Sequence, residues 1–103
     1  MEDICKILKI LSNKDALRIC ISLLEKEMTN WDISIKTGIS KSIVDYHLFK
    51  LGKTSILKRR VEREKIQKNA ATTQESGYKV YFSINPRFRD FLLSISDLVE
   101  TDN

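Results

Sequence analysis

Thr29-Asn30-Trp31-Asp32-Ile33-Ser34-Ile35-Lys36-Thr37-Gly38-Ile39-Ser40-Lys41-Ser42-Ile43-Val44-Asp45-Tyr46-His47-Leu48-Phe49-Lys50-Leu51 reads as two short helices and the turn between them. Val44, Leu48 and Leu51 recur at i, i+4 and i+7, which gives one narrow apolar stripe of helical period. Ser40 stands where its hydroxyl can cap that helix, and Lys41, Ser42, Asp45, Tyr46, Phe49 and Lys50 fall on its other faces. Upstream, Thr29 and Asn30 offer a cap for a helix from Trp31 to Thr37. Gly38 ends it, because a residue without a Cβ takes positive φ at no steric cost.

Outward from this pair the chain continues in helical period on the N-terminal side. Ile4, Ile7, Leu8 and Leu11 predict a helix over residues 2–11, with Glu2 and Asp3 at the positive end of its dipole. Ser12 and Asn13 end it and cap a second helix with Asp15 in its first turn. There Leu17, Cys20, Ile21 and Leu24 form a stripe that Ile19 and Leu23 widen almost around the helix, the pattern of a core element. On the C-terminal side the period changes. Leu57 to Ile66 has helix-friendly composition but broken alternation, with Leu57 and Val61 on one face, and reads as a strand. Its partner is plainer: Tyr78, Val80, Phe82 and Ile84 alternate with Lys79, Tyr81 and Ser83. Gln67 to Gly77, polar and small, forms the long hairpin tip between them. Asn85-Pro86 opens a last helix whose Phe88, Phe91, Leu92, Ile95, Leu98 and Val99 share a face. The expected fold is mainly α with a small β-hairpin, in one domain over residues 1–103. It has four helices, a two-stranded wing at about 57–84 and a C-terminal helix at about 86–100. The tight link at Thr37-Gly38-Ile39-Ser40 makes the third and fourth helices a helix-turn-helix.

Composition supports a packed domain and narrows its class. The 103 residues are 42% apolar and 31% charged, enough for a core and too apolar for a disordered polyelectrolyte. Three Gly and one Pro exclude a collagen-like or low-complexity chain and argue against a turn-rich β-sandwich. No apolar run approaches membrane-spanning length and Met1-Glu2-Asp3 is acidic, so neither a span nor an export signal is expected and the predicted location is cytoplasmic. The net charge of +4 is unevenly spread. Residues 36–79 hold eleven basic side chains (Lys36, Lys41, Lys50, Lys53, Lys58, Arg59, Arg60, Arg63, Lys65, Lys68 and Lys79) against four acidic ones, a surplus of seven, while both flanking segments are mildly acidic. A charge run is ordinarily a solvated face, so location has to decide its meaning.

A family resemblance supplies that location. Asp32-Ile33-Ser34, then Gly38-Ile39-Ser40 and the helix ending His47-Leu48-Phe49-Lys50-Leu51, resembles the winged helix-turn-helix of ArsR-type repressors, whose pattern runs acidic-Leu-Ala, Gly-Leu-Ser and His-Leu-x-x-Leu. Leu11-Ser12-Asn13 through Leu23-Leu24 resembles that family's second helix, and Gly77-Tyr78-Lys79-Val80-Tyr81-Phe82 the strand returning from the wing. The chain departs from the pattern at Ala16, where Arg is common, at Ser55, where a helix-ending Gly is usual, and in a longer wing. The broader winged-helix class, MarR-like and archaeal viral proteins included, shares these features.

The resemblance implies a sequence-specific regulator that binds double-stranded DNA, a homodimeric repressor acting by promoter occupancy. On that reading Ser40, Lys41, Ser42, Asp45, Tyr46 and Lys50 of the recognition helix face the DNA. Lys58, Arg59, Arg60, Arg63, Lys65, Lys68 and Lys79 contact its backbone from the wing. Asp45 is ambiguous: a carboxylate repels phosphate but accepts from cytosine N4, and a plain surface charge fits equally well. The dimer interface falls on Phe88, Phe91, Leu92, Ile95, Leu98 and Val99, with the first helix drawn in, because one small monomer has too little surface to cover six large apolar side chains. Two rival readings use the same fold: an architectural DNA-binding protein without strong base preference, and a protein–protein interaction module.

Other chemistries lack their residues. The lone His47 beside the apolar stripe reads as a satisfied, partly buried side chain. Cys5 and Cys20, on separate helices without a Cys-x-x-Cys, read as core thiols, with a disulfide between them left open. ArsR-type metal sensors carry paired Cys before the recognition helix or Asp and His on the last helix. Here Trp31-Asp32-Ile33-Ser34-Ile35 occupies the first place and no His the second, so no metal, cofactor or small-molecule ligand is expected. Without Gly-x-Gly, a Walker pattern or a triad partner for His47, the chain does not read as an enzyme.

Overall fold

The computed structural model describes residues 2–63 and 77–101, with the side chains of Glu2 and of residues 99–101 left aside. The wing cations Lys65 and Lys68, the expected strand end at Ile66, the hairpin tip and the side chain of Val99 lie outside the described residues. Five α-helices and one hairpin follow in order: α1 (Glu2–Leu11), α2 (Lys14–Ser22), α3 (Asn30–Thr37), α4 (Lys41–Leu51), β1 (Leu57–Arg63), β2 (Tyr78–Ile84), a 3-10 turn (Pro86–Phe88) and α5 (Arg89–Thr101).

Helix ends obey local chemistry. The Asn13 side chain accepts from the N–H groups of Asp15 (2.9 Å) and Ala16 (3.2 Å) and so starts α2. Thr29 and Asp32 form a reciprocal capping box, each side chain accepting from the other's backbone N–H at 3.2 Å, so α3 begins at Asn30, one residue ahead of the expected Trp31. Gly38 takes φ 74° and its N–H donates to the Ser34 carbonyl at 2.9 Å, the left-handed stop that turns the chain into α4. Ser40 corrects the expectation at the next cap. It occupies the position, but its hydroxyl makes no capping bond and lies 3.4 Å from that of Ser42.

One core joins all the elements. α2 packs against α1, α3, α4 and α5, and Ile19, Cys20, Leu23, Ile33, Val44, Leu48, Leu51, Ile56, Ile84 and Leu92 form a single buried cluster around it. The α1 stripe is only half used: Ile7 and Leu11 are buried while Ile4 and Leu8 face solvent, because no described element covers that side.

The hairpin pairs antiparallel from Leu57↔Ile84 at its root to Arg63↔Tyr78. The expected alternation of β2 does not become an alternation of burial. Exposure falls steadily from Tyr78 to Ile84, and Leu57 is the buried residue of β1, since the hairpin is cantilevered from the body and distance from the core decides burial. Its root is tied twice. Met28 exchanges both backbone hydrogen bonds with Phe82 (3.0 and 2.8 Å), adding one residue of a third strand. Asn85 donates its N–H to the Ile56 carbonyl and its side-chain amide to the Ser55 carbonyl, each at 2.8 Å.

Candidate nucleic-acid interface

The stripe Val44, Leu48 and Leu51 is buried against α2 and its neighbours, which fixes the opposite edge of α4 in space. That edge presents Ser42, Tyr46 and Phe49 to solvent, with Lys41, Asp45 and Lys50 half-buried beside them. Lysines lie over the exposed rings: Lys41 Nζ is 5.5 Å from the Trp31 ring centre, Lys50 Nζ 5.2 Å from Tyr46 and Lys53 Nζ 4.3 Å from Phe49. Such stacking confines long side chains that would otherwise be mobile and keeps their charge at the helix surface. Trp31, Phe49 and Lys53 were not among the expected site residues. Helical period already set Phe49 off the buried stripe, and it is 65% exposed, but an aromatic by residue type alone gives no sign of a role at a charged surface.

Asp45 is resolved by its neighbours. One carboxylate oxygen accepts from the Asn30 side-chain amide at 2.8 Å, and the other lies 3.3 Å from Lys41 Nζ. The carboxylate thus ties the start of α3 to the recognition helix and offsets the charge of Lys41, so a local role in the protein accounts for it.

The wing cations divide in two. Lys58, Arg59 and Arg63 are exposed on β1. Arg59 lines both the 630 Å³ cleft that separates β2 from the first turns of α3 and α4, together with Trp31, Lys41 and Tyr78, and the 410 Å³ cleft between α4 and β1. Lys79 borders the first of these clefts. Arg60 departs from the expectation. Its Nε and Nη2 donate to the two oxygens of Glu27 (3.1 and 2.6 Å), its Nη1 donates to Glu62 (3.0 Å), and its plane lies 4.6 Å from the Tyr81 ring centre. The Arg60 guanidinium holds the Glu27 carboxyl below the usual range, and the two glutamates hold Arg60 firmly protonated. It fastens the wing to the α2–α3 connection, and phosphate would have to displace those bonds.

Several expectations outside this surface need correction. His47 is 5% exposed, but its Nδ1 has no hydrogen-bond partner among the described residues, so the ring is buried without being fully satisfied. Burial lowers its pKa, the Asp15 carboxylate opposes that shift and Lys50 adds to it. Cys20 is a core thiol, pushed up to about 12 by burial, but Cys5 is exposed, and both are free. Leu92, expected at a dimer interface, is fully buried in its own domain and is not available to a partner. Phe88 and Ile95 are half-buried, while Phe91, Leu93 and Leu98 are exposed, Leu98 at 70%. Ile4, Leu8, Phe88 and Phe91 line a 310 Å³ apolar cleft between α1 and the start of α5. Among the described residues no helix is long and apolar enough to cross a membrane, and no three His, Cys, Asp or Glu side chains gather as a metal site.

Residues 13–58 match the family model of bacterial regulatory proteins of the arsR family. No curated protein matches the chain in sequence. Reduced HlyU from Vibrio cholerae N16961 superposes with a TM-score of 0.69 at 18% identity, over 94% of this chain and 88% of that one. The homodimeric winged helix-turn-helix DNA-binding domain of Mb0332 from Mycobacterium bovis, a possible ArsR-family regulator, gives 0.66 at 17%, over 98% and 81%. The transcriptional repressor BigR from Xylella fastidiosa gives 0.66 at 16%, over 99% and 88%. The likeness is one of fold, and it extends well beyond the residues that match the family model.

Proposed function

We propose that the protein, whose residues 13–58 match the arsR-family model within a winged-helix fold, is a cytoplasmic, homodimeric repressor that binds duplex DNA sequence-specifically and acts by occupying a promoter. The observation that carries this reading is the edge of α4 opposite its buried stripe, where Ser42 and Tyr46 are exposed beside Lys50, with Lys53 just beyond the helix and Lys58, Arg59 and Arg63 exposed on the wing. A helix held by its buried stripe places side chains closely enough to discriminate base edges, whereas cations on a projecting hairpin reach phosphate without fixed geometry. Ser42 and Tyr46 then supply specificity. Arg59, Arg63 and Lys58, together with Lys79, Lys65 and Lys68, supply affinity. The apolar cleft between α1 and α5 and the exposed Phe91 and Leu98 support pairing of two copies, as in the Mb0332 domain described as homodimeric. Selecting bound fragments from the source genome and titrating them against random duplex at several salt concentrations tests the reading. A regulator prefers its site by about a thousandfold or more, and equal binding to both DNAs would refute sequence-specific repression.

A further inference from the structure

α1 and the end of α4 meet at a recess whose rim is strongly basic and which adjoins, through Lys53, the cleft between α4 and β1. Lys6 and Lys9, three residues apart, share one face of α1. Lys50 and Lys53, likewise three apart, stand on the last turn of α4 and just beyond it. With Ile10 and Thr54 these four lysines line a space of 380 Å³. Among the described residues no acidic side chain lines it. The ion pairs among the described residues use Glu25, Asp45, Glu27 and Glu62, and none of them reaches these lysines. Thr54 is not a free donor either, because its hydroxyl is given to the Leu51 carbonyl at 2.8 Å. Helix dipoles favour a cation in the last turn, which accounts for Lys9 and Lys50, but Lys6 sits mid-helix and gains nothing from that end.

Four like charges around one recess repel one another unless an anion answers them. Ammonium groups on flexible stems suit phosphate, a point-like anion, better than a planar carboxylate needing a bidentate fork. Lys50, on the last turn of the recognition helix, and Lys53, just after it, stack on Tyr46 and Phe49 of its exposed edge, so the recess is continuous with the proposed DNA surface. We infer that Lys6, Lys9, Lys50 and Lys53 form a second phosphate-binding site that grips the DNA backbone at the C-terminal end of the recognition helix, beside α1. The inference rests on the DNA-binding reading above and extends the footprint onto α1, in a segment whose net charge is acidic.

The test uses the double variant Lys6→Ala, Lys9→Ala, with Lys26→Ala, an exposed lysine outside the recess, as the control. All three side chains are solvent-exposed, and circular dichroism checks that the variants fold. Affinity for random-sequence duplex is titrated against salt. Each lost phosphate contact flattens the log–log slope by about 0.9, so a dimer losing four contacts flattens by about 3.6, while Lys26→Ala leaves it unchanged. An unchanged slope in the double variant, with wild type still binding DNA, overturns the second site and leaves the DNA-binding reading standing. Equal flattening by Lys26→Ala also overturns it, by reducing the effect to net charge. Calorimetry with inorganic pyrophosphate distinguishes the source: pyrophosphate binding that the double variant abolishes, together with an unchanged DNA slope, assigns the recess to a free anion and refutes the backbone contact. Wild type that binds no duplex at all refutes both readings together.

Discussion

Arg59 and Arg60 are neighbours on β1 with the same charge, and the structure predicts opposite behaviour on DNA. Arg59 is exposed between two clefts, whereas Arg60 spends Nε, Nη1 and Nη2 on Glu27 and Glu62. Replacing Arg59 by Ala removes one phosphate contact per protomer and flattens the salt slope of a dimer by about 1.8. The affinity ratio of wild type to variant then shrinks about 12-fold between 50 and 200 mM salt. Arg60→Ala leaves the slope unchanged. The converse perturbation is more telling: Glu27→Gln frees Nε and Nη2 of Arg60, and the released guanidinium steepens the slope by up to the same 1.8. Removing an acid near the wing also weakens repulsion of DNA, so the steepening has to be read in a double-mutant cycle. In an Arg60→Ala background Glu27→Gln adds nothing if Arg60 is the group released. The assay is fluorescence-anisotropy titration of the four proteins on random duplex. The reasoning fails if Arg60→Ala flattens the slope as much as Arg59→Ala, or if the effect of Glu27→Gln survives without Arg60.

Three further outcomes follow from burial. Burial depresses the His47 pKa below its ordinary 6.5, so the unfolded chain binds more protons in the window just below that value. Stability is therefore fully present above pH 6.5 and is lost as pH falls through the folded-state pKa; urea midpoints on either side of 6.5 should show this loss, and His47→Leu should abolish it. Iodoacetamide should label Cys5 and spare Cys20 in the native protein, as read by mass spectrometry, and Cys20→Ser should cost about 1–3 kcal/mol through an unsatisfied buried hydroxyl. Leu92→Ala should cost about 2–5 kcal/mol in denaturant unfolding by opening a core cavity, whereas Leu98→Asp should leave each monomer folded and shift sedimentation from dimer to monomer.

Legibility in the sequence followed the range of the interaction. Thr29, Gly38 and Asn13 act within four residues of themselves, and each end they define was readable from residue type alone. The stripe on α4 was readable because all three of its members are buried by the same neighbours. On α1 and α5 the same periodicity identified an apolar face but not what covers it: Ile7 and Leu92 go to the monomer core, while Ile4, Leu8, Phe91 and Leu98 remain outside. The Met28 bridge left no trace, since one paired residue has no period. Neither did the orphaned Nδ1 of His47, which depends on groups distant in sequence.

Charge was the least transferable quantity, because a surplus counted along the chain is not a surplus in space. Lys36 and Arg60 belong to the basic middle of the sequence, yet they pair with Glu25 and Glu27 from the acidic-leaning N-terminal third, and Lys41 is offset by Asp45 one turn on. Three of the eleven cations of that segment are thereby committed inside the protein. The same fold moves charge the other way: Lys6 and Lys9, from a segment whose net charge is negative, stand beside Lys50 and Lys53 around a space that no acidic side chain lines among the described residues. The positive surface is therefore set by tertiary pairing. Among the described residues its cations outside ion pairs include Lys58, Arg59 and Arg63 on the wing and the four lysines of the recess between α1 and the end of α4, which predicts a backbone footprint that extends past the hairpin onto α1.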